Sequence, residues 1–183
     1  KLQSTLEALR GIMEYDAIGL GAGELRLDGF ELLSLLMNTA APTEVQSPVV
    51  SANATVFDDE SVRPYLVVEK NGRRVGITSV VSPRHFQGLG DLTSDERETK
   101  IFDPAVGLSR VVPKLVAEKC DAMVLLAYVS ERESRDLAEK FPQFDFIVNE
   151  GVDGEPVDYL EPIQVGDRVV SLVQMGYKSM FAG

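Results

Sequence analysis

Two short apolar runs with a charged stretch between them constrain the fold of this chain more than any other feature. Residues 122–127 read AMVLLA and residues 144–148 read FDFIV, whereas residues 131–140 between them are mostly charged. Apolar runs of this length are typical of buried strands, and the charged stretch predicts a surface helix. The succession of strand, helix and strand indicates an α/β fold.

The first part of the chain predicts a similar alternation. Apolar residues at helical spacing predict a helix over 2–14. The short apolar runs at 16–20 and 48–53 predict strands, because each is stopped by loop-forming residues. Between them, Asp28 is a suitable N-cap for a helix over 29–37.

Turn and cap signals divide the rest of the chain. Asn71-Gly72 lies between two strand-like runs and predicts a hairpin turn. Asp103 followed by proline predicts the start of a helix, and Pro113 predicts a kink or a break inside it. Residues 167–175 and 178–181 predict a final hairpin.

Two segments are predicted to be loops. Residues 82–102 are polar and acidic and predict a surface excursion, and residues 150–162, rich in glycine, proline and acids, predict a mobile loop. Hairpins inserted among alternating strands and helices are typical of an α/β sandwich with mixed sheets. The length of 183 residues fits a single domain over 1–183.

Composition excludes several classes of protein. The net charge of −11 is incompatible with a nucleic-acid surface, which needs a basic face. The segment contains no run long and apolar enough to span a membrane. Cys120 is the single cysteine, so an internal disulfide is excluded and we expect a buried, inert thiol. The sequence starts at Lys1 without a signal pattern, so we expect a piece of a longer protein whose compartment it does not reveal.

Six segments in order resemble the catalytic half of the 5′-nucleotidase branch of the calcineurin-like metallophosphoesterases. They read YDAIGLGAGE (15–24), PVVSAN (48–53), PYLVVEKNGRRVGITSVVSP (64–83), CDAMVLLAY (120–128), FDFIVNEGVD (144–153) and MGYKSMFAG (175–183). The resemblance implies an α/β/β/α sandwich with mixed sheets, whose opening strand or strands would precede Lys1. It also implies an ancestral site for two divalent metal ions.

The chain departs from the family at the positions that carry chemistry. In the family's Gly-Asn-His-Glu turn, the bridging asparagine is replaced by Ala22 and the catalytic histidine by Gly23. Glu24 remains, but the aspartate that would orient that histidine falls at Arg26.

The later metal positions are changed as well. The histidine expected at the end of the strand 120–128 is Tyr128, and the two histidines of the last loop become Gly151 and Asp153. The only histidine, His85, falls at none of the family's positions, and we interpret it as a surface or loop residue.

These changes remove the donors that a two-metal site needs. Such a site holds two cations about 3.5–4 Å apart with imidazole and carboxylate ligands. Alanine and glycine offer no side-chain donor, and a tyrosine phenol must first lose a proton with a pKa near 10. Asp16, Glu24, Arg26 and Asp153 are the polar residues that remain as candidates to line the cleft.

The resemblance leaves three interpretations of function. The first is a catalytically inactive module without cofactors, structural or interacting with other domains of the same polypeptide or with a protein partner. The second is an active metal-dependent phosphoesterase whose rearranged site is completed upstream of Lys1. The third is a nucleotide or anion binder without turnover, using Arg26. By family analogy we expect an extracytoplasmic setting.

Overall fold

A computed structural model describes residues 15–21, 23–39, 47–86, 98–150 and 159–175. In chain order the strands are β1 (Ile18–Gly19), β2 (Val49–Val50), β3 (Ala54–Val56), β4 (Leu66–Lys70), β5 (Arg73–Val81), β6 (Thr99–Ile101), β7 (Ala122–Tyr128), β8 (Phe146–Asn149), β9 (Glu161–Val165) and β10 (Arg168–Gln174), and the α-helices are α1 (Gly29–Thr39), α2 (Pro104–Ala117) and α3 (Glu131–Lys140). Short 3₁₀ helices cover Glu24–Arg26 and Pro83–Phe86.

The central sheet is mixed, as the sequence predicts. It has six strands in the order β4-β5-β7-β8-β10-β9. The four inner strands are parallel to one another, and β4 and β9 are antiparallel to their neighbours at the two edges. Two smaller sheets accompany it, a parallel pair β1-β2 and an antiparallel pair β3-β6.

Helices α2 and α3 cover one face of the central sheet. Alternate residues of β7 point to this face, and Leu125 is fully buried there with Ile147 of β8. Leu108 of α2 and Leu137 of α3 pack into the same core. Burying an aliphatic side chain of this size contributes about 1.5–3 kcal/mol, so these contacts fix both helices on the sheet.

The small β1-β2 sheet packs against the other face of the central sheet. A Cβ atom at Gly19 would lie 3.1 Å from Ser79 Cβ, a tight contact that would push the neighbouring strand away slightly, so glycine favours this close approach. The Ser79 hydroxyl donates a hydrogen bond of 2.6 Å to the carbonyl of Val50, which ties the two sheets together. Helix α1 adds Leu32 and Leu36 to a second core on this side, and the layers are helix, sheet, sheet and helix.

Two of the three helix starts have the predicted caps, Asp28 and Asp103, and the third has a capping box at Ser130 that was not predicted. The Asp28 carboxylate accepts a hydrogen bond of 2.8 Å from the Glu31 N–H at the start of α1. Asp103 accepts from two N–H groups in the first turn of α2. Ser130 and Glu133 form a reciprocal capping box at the start of α3.

The predicted hairpin turn at Asn71-Gly72 is also confirmed. Both residues have positive φ angles, 52° and 71°, and they join β4 to β5 in antiparallel register. A two-residue turn with two positive φ angles has the twist that paired strands require. Asparagine and glycine are the residues that tolerate it.

Pro113 does not break α2, contrary to one alternative of the prediction. The helix runs from Pro104 to Ala117 with the proline inside it. Val111, Val112 and Leu115 around it are buried against the sheet. Their burial outweighs the cost of about 3 kcal/mol that an interior proline imposes on a helix.

The two predicted loops need correction at their ends. Residues 99–101, placed in the excursion 82–102, form β6 because they pair with β3. The end of the segment 150–162 belongs to β9, which is the antiparallel partner of β10. The turn of that hairpin includes Gly166, with φ 58°. The predicted partner strand 178–181 and the predicted helix 2–14 lie outside the described residues.

Candidate functional site

A cavity of about 320 Å³ lies between β1 and the carboxyl halves of β5, β7 and β8. Most of its lining is apolar, and its polar side chains include Tyr128 and Glu150. Ligand sites of α/β sheets are commonly found at the carboxyl ends of the strands. We therefore take the region at the carboxyl ends of β1, β7 and β8 as the candidate site and call it the cleft.

Glu24 stabilises the turn that follows β1. Its Oε2 atom accepts a hydrogen bond of 2.9 Å from the Gly21 N–H, and the Leu25 N–H donates to the Gly21 carbonyl. Leu25 is buried and anchors the 3₁₀ helix in the second core. The retained glutamate therefore has a structural role in the turn.

Gly23 lies exposed in this turn with ordinary helical backbone angles, φ −68° and ψ −48°. A Cβ atom added there would meet no described atom within 4 Å. The position therefore has room for a Cβ atom, and its backbone angles are open to residues other than glycine. Packing does not explain why the chain has glycine there.

Glu150 places a second carboxylate near Glu24. It follows β8 and lines the cavity. Partial burial of the carboxyl, and then the negative charge of Glu24, raise the pKa of Glu150 above its ordinary value. The sequence analysis did not single out Glu150, although its place directly after an apolar strand was a usable signal.

Tyr128 ends β7 and packs against the only histidine of the chain. The ring centroids of Tyr128 and His85 are 4.8 Å apart. His85 is half-buried in the 3₁₀ helix after β5, and its buried Nε2 atom has no hydrogen-bond partner among the described residues. His85 lies in the connection after β5, as one alternative of the prediction has it, but it is not a plain surface residue, because Val81 pairs with Tyr128 and brings the two strand ends together.

The side chain of Asn53 forms hydrogen bonds with the backbone at the end of β5. Its side-chain amide donates to the carbonyls of Val81 and Phe102, at 2.8 and 2.7 Å, and its Oδ1 atom accepts from the Val81 N–H. The residue is 1% exposed. The asparagine of the segment PVVSAN thus holds the end of β5 in place.

The remaining predicted cleft residues are dispersed. Asp16 precedes β1 and forms an ion pair of 3.1 Å with Lys70 at the β4–β5 turn, so it is not directed toward Glu150 at the carboxyl end of β8. Arg26 is exposed in the last turn of the first 3₁₀ helix. Ala22, Gly151 and Asp153 lie outside the described residues.

The part of the chain that the structure describes brings neither a ligand cluster nor a reactive thiol to the cleft. Within the described ranges, no group of three or more histidine, cysteine or acidic side chains is arranged to hold a metal ion. Glu24 and Glu150 together supply two carboxylates, fewer than a two-metal site requires. Burial raises the pKa of the Cys120 thiol, which fits an inert residue. The described helices include none long and apolar enough to cross a bilayer.

The chain has the fold of 5′-nucleotidases and calcineurin-like phosphoesterases. It is similar to a 5′-nucleotidase precursor from Thermus thermophilus, with a TM-score of 0.72 and 22% identity over 94% of this chain and 35% of the other. It is also similar to the NAD nucleotidase of Haemophilus influenzae, with a TM-score of 0.70 and 18% identity over 98% of this chain and 34% of the other. For the calcineurin-like phosphoesterase YfkN of Bacillus subtilis, the TM-score is 0.68 and the identity 22%, over 93% of this chain and 57% of the other.

The sequence itself matches no family model and no curated protein. The likeness therefore lies in the fold, which confirms the resemblance that the six ordered segments predict. The chain spans about a third of the length of the first two structures.

Proposed function

We propose that this chain is a catalytically inactive metallophosphoesterase-like domain that serves a structural or interaction role in a larger protein. The observation that carries the proposal is the set of side chains found at the cleft. Tyr128 occupies the end of β7 and packs on His85, while Gly23 offers no side chain in the turn after β1. The strands around these positions keep their pairing and their buried cores.

The residues present do not fit the reaction of the fold's relatives. Two-metal hydrolysis needs bridged cations that polarise the phosphoryl oxygen and generate hydroxide. Among the described residues, two glutamates, one of them committed to the Gly21 N–H, supply too few donors for that. No side chain at Gly23 can protonate a leaving group.

One observation favours the alternative of an active enzyme with a rearranged site. Glu24 and Glu150 are close enough for their charges to interact. Two such carboxylates are a usual start of a cation site, and ligands from elsewhere in the full protein could complete it. The same pair opposes the third interpretation, because two negative charges at the mouth of the cleft repel a phosphate.

The decisive experiment compares metal content and hydrolysis in one sample of the intact protein. The protein is dialysed against manganese and zinc, analysed for bound metal, and assayed with nucleotide monophosphates. We expect far less than one metal ion per chain and no hydrolysis above a blank. Two metal ions per chain together with turnover would establish the rearranged enzyme instead.

Calorimetry with adenosine nucleotides tests the third interpretation on the same preparation. We expect no heat of binding at millimolar ligand. Saturable binding without hydrolysis would identify an anion binder.

The setting of the domain is a proposal by analogy. We propose that it acts beside other domains of the same polypeptide or with a protein partner, in an extracytoplasmic compartment. Its coverage of about a third of two structural relatives supports a multidomain context. Fractionation of source cells, followed by detection of the intact protein, tests the compartment.

A further inference from the structure

Helix α1 carries apolar side chains on two opposite faces. Leu32, Leu35 and Leu36 are buried in the second core. Phe30 and Met37 point away from that core, and each is 70% exposed. At about 100° per residue, positions seven apart lie on the same face of a helix. Glu31, Ser34 and Asn38 separate the two apolar faces on one side of the helix, so the exposed face is apolar on its own and is not, on that side, an extension of the buried one.

Phe57 extends this exposed face. Its ring centroid lies 4.8 Å from that of Phe30, and the residue is 42% exposed. Its φ angle of 61° is in the left-handed region, which bulky residues rarely adopt. Hydrogen bonds from the Phe57 N–H to the Glu98 carbonyl and from the Asp58 N–H to the Val56 carbonyl hold this conformation.

Together, Phe30, Met37, Phe57 and the half-buried Leu33 form a continuous surface that we call the α1 patch. Strained backbone persists only where the surrounding structure enforces it, and it concentrates at functional surfaces. Exposed apolar patches with polar borders mark interaction sites. The strained conformation of Phe57 is therefore an observation independent of the exposure of α1.

Carboxylates border the α1 patch. They are the exposed side chains of Asp28 and Glu31, which flank Phe30 in the chain, of Asp58, which follows Phe57, and of Glu98, whose Oε2 atom accepts a hydrogen bond from the Gly29 N–H. Hydrogen bonds from the Ser61 hydroxyl and from the backbone of Glu60 and Ser61 lower the pKa of Asp58. The border as a whole consists of acidic side chains and is formally negative. Its charge is complementary to a basic partner, and it would repel the same patch on a second copy of the chain.

We propose that the α1 patch is the docking surface for a segment of a partner protein that presents apolar anchors flanked by lysine or arginine. An apolar centre with a charged rim is the usual composition of such an interface. The inference rests on the proposed interaction role and names the class of partner. It is independent of the cleft, since none of the described residues that line the cavity belongs to the patch.

A defined probe tests the proposal on the intact protein. The probe is a labelled helical peptide of about 18 residues, with leucines on one face and lysines elsewhere. A matched peptide carries glutamate in place of lysine. By fluorescence anisotropy, we expect the lysine peptide to bind with a Kd on the order of 1–100 µM, and the glutamate peptide to bind at least about tenfold more weakly. Raising the salt concentration should weaken binding of the lysine peptide.

Substitutions assign the binding to the α1 patch. Replacing both Phe30→Ser and Met37→Ser should weaken binding at least about tenfold. Val116→Ser, at a residue of α2 that is 51% exposed, is the matched control and should leave binding unchanged. Phe57→Asn should also weaken binding but keep the melting temperature at or above that of the parent, because asparagine tolerates a positive φ.

Several results would overturn the proposal. They are failure of the lysine peptide to bind, equal binding of the glutamate peptide, and equal binding by the double variant. Self-association abolished by Phe30→Ser and Met37→Ser would assign the patch to a second copy instead. Binding to phosphatidylcholine vesicles without peptide binding would assign it to a lipid surface. None of these results changes metal content or hydrolysis, which test the proposed function separately.

Discussion

The core under α2 and α3 and the cleft at the carboxyl ends of the strands differ in the side chains that they contain. On the face toward α2 and α3, Leu108, Leu125 and Ile147 are fully buried in one continuous core. At the carboxyl ends of the strands, the cleft contains Gly23, Tyr128 and two carboxylates without a complete metal ligand set among the described residues. Packing is required for the domain to fold, whereas the ligands of a catalytic site are not. Loss of chemistry can therefore leave the fold intact.

The largest difference should appear between truncation of a buried aromatic ring in the core and removal of a single hydroxyl group in the cleft. Phe144 is fully buried, so Phe144→Ala should lower the free energy of unfolding by about 3–5 kcal/mol through lost burial and a cavity. Tyr128→Phe in the cleft should change it by less than about 0.5 kcal/mol. Urea unfolding measures both. Similar losses for the two variants would contradict the contrast.

A pair of glycines sharpens the comparison within one strand and its turn. Gly19→Ala should cost about 1–3 kcal/mol, because the new methyl group would overlap the contact with Ser79 Cβ. Gly23→Ala is the matched control and should be neutral or stabilising by about 0.4–1 kcal/mol, since the space is open. Thermal unfolding compares them. A destabilising Gly23→Ala would mean that the turn is constrained by contacts that the described residues do not reveal.

The capping box of α3 should give a smaller, pH-dependent effect. Burial alone would raise the pKa of Glu133, but hydrogen bonds from the Ser130 side chain and backbone and from the Ser82 hydroxyl, with the charge of Arg84, give a net lowering. A lowered pKa in the folded state means that ionised Glu133 stabilises the fold. This contribution is present above the ordinary glutamate pKa of about 4.3 and is lost as pH falls through the lower value.

Glu133→Gln should therefore cost about 1 kcal/mol at pH 7 and little in strong acid. Glu139→Gln, at an exposed position of the same helix, is the control and should cost little at either pH. Unfolding curves at several pH values measure the difference. A penalty for Glu133→Gln that persists unchanged in strong acid would rule out the ionised carboxylate as its source.

The smallest change in stability is expected at Glu150, and its sign is opposite to that at Glu133. Burial and Glu24 raise its pKa, so ionised Glu150 opposes folding as pH rises above about 4.3. Glu150→Gln should therefore stabilise the protein at pH 7, by less than about 0.5 kcal/mol, and have no effect in strong acid. A loss of stability at pH 7 would instead indicate that a cation or donor compensates Glu150, as the rearranged enzyme requires.

The strands and helix starts could be predicted because their signals are local. The apolar runs at β7 and β8, the caps at Asp28 and Asp103, and the turn at Asn71-Gly72 each determine structure over a few residues. Where a tertiary contact decides, the prediction was wrong. Pairing with β3 makes a strand of β6, and burial of neighbouring residues keeps α2 intact at Pro113.

The cleft was harder to predict because strand register assembles it. The family resemblance correctly pointed to the fold and to the end of β7, where Tyr128 lies. It did not reveal that Tyr128 contacts His85, which depends on the pairing of β5 with β7. Nor did it reveal that the charge of Glu24 acts on Glu150, since the two residues follow strands of different sheets.

Anomalous diffraction from crystals of the intact protein grown with manganese tests the central claim most directly. The claim is that the fold persists while the cleft no longer holds a metal pair. It predicts the fold described above and no anomalous peak beside Glu24, Glu150 or Tyr128. Two peaks about 3.5–4 Å apart at that position would show that the site is rebuilt from other ligands, and would contradict the account.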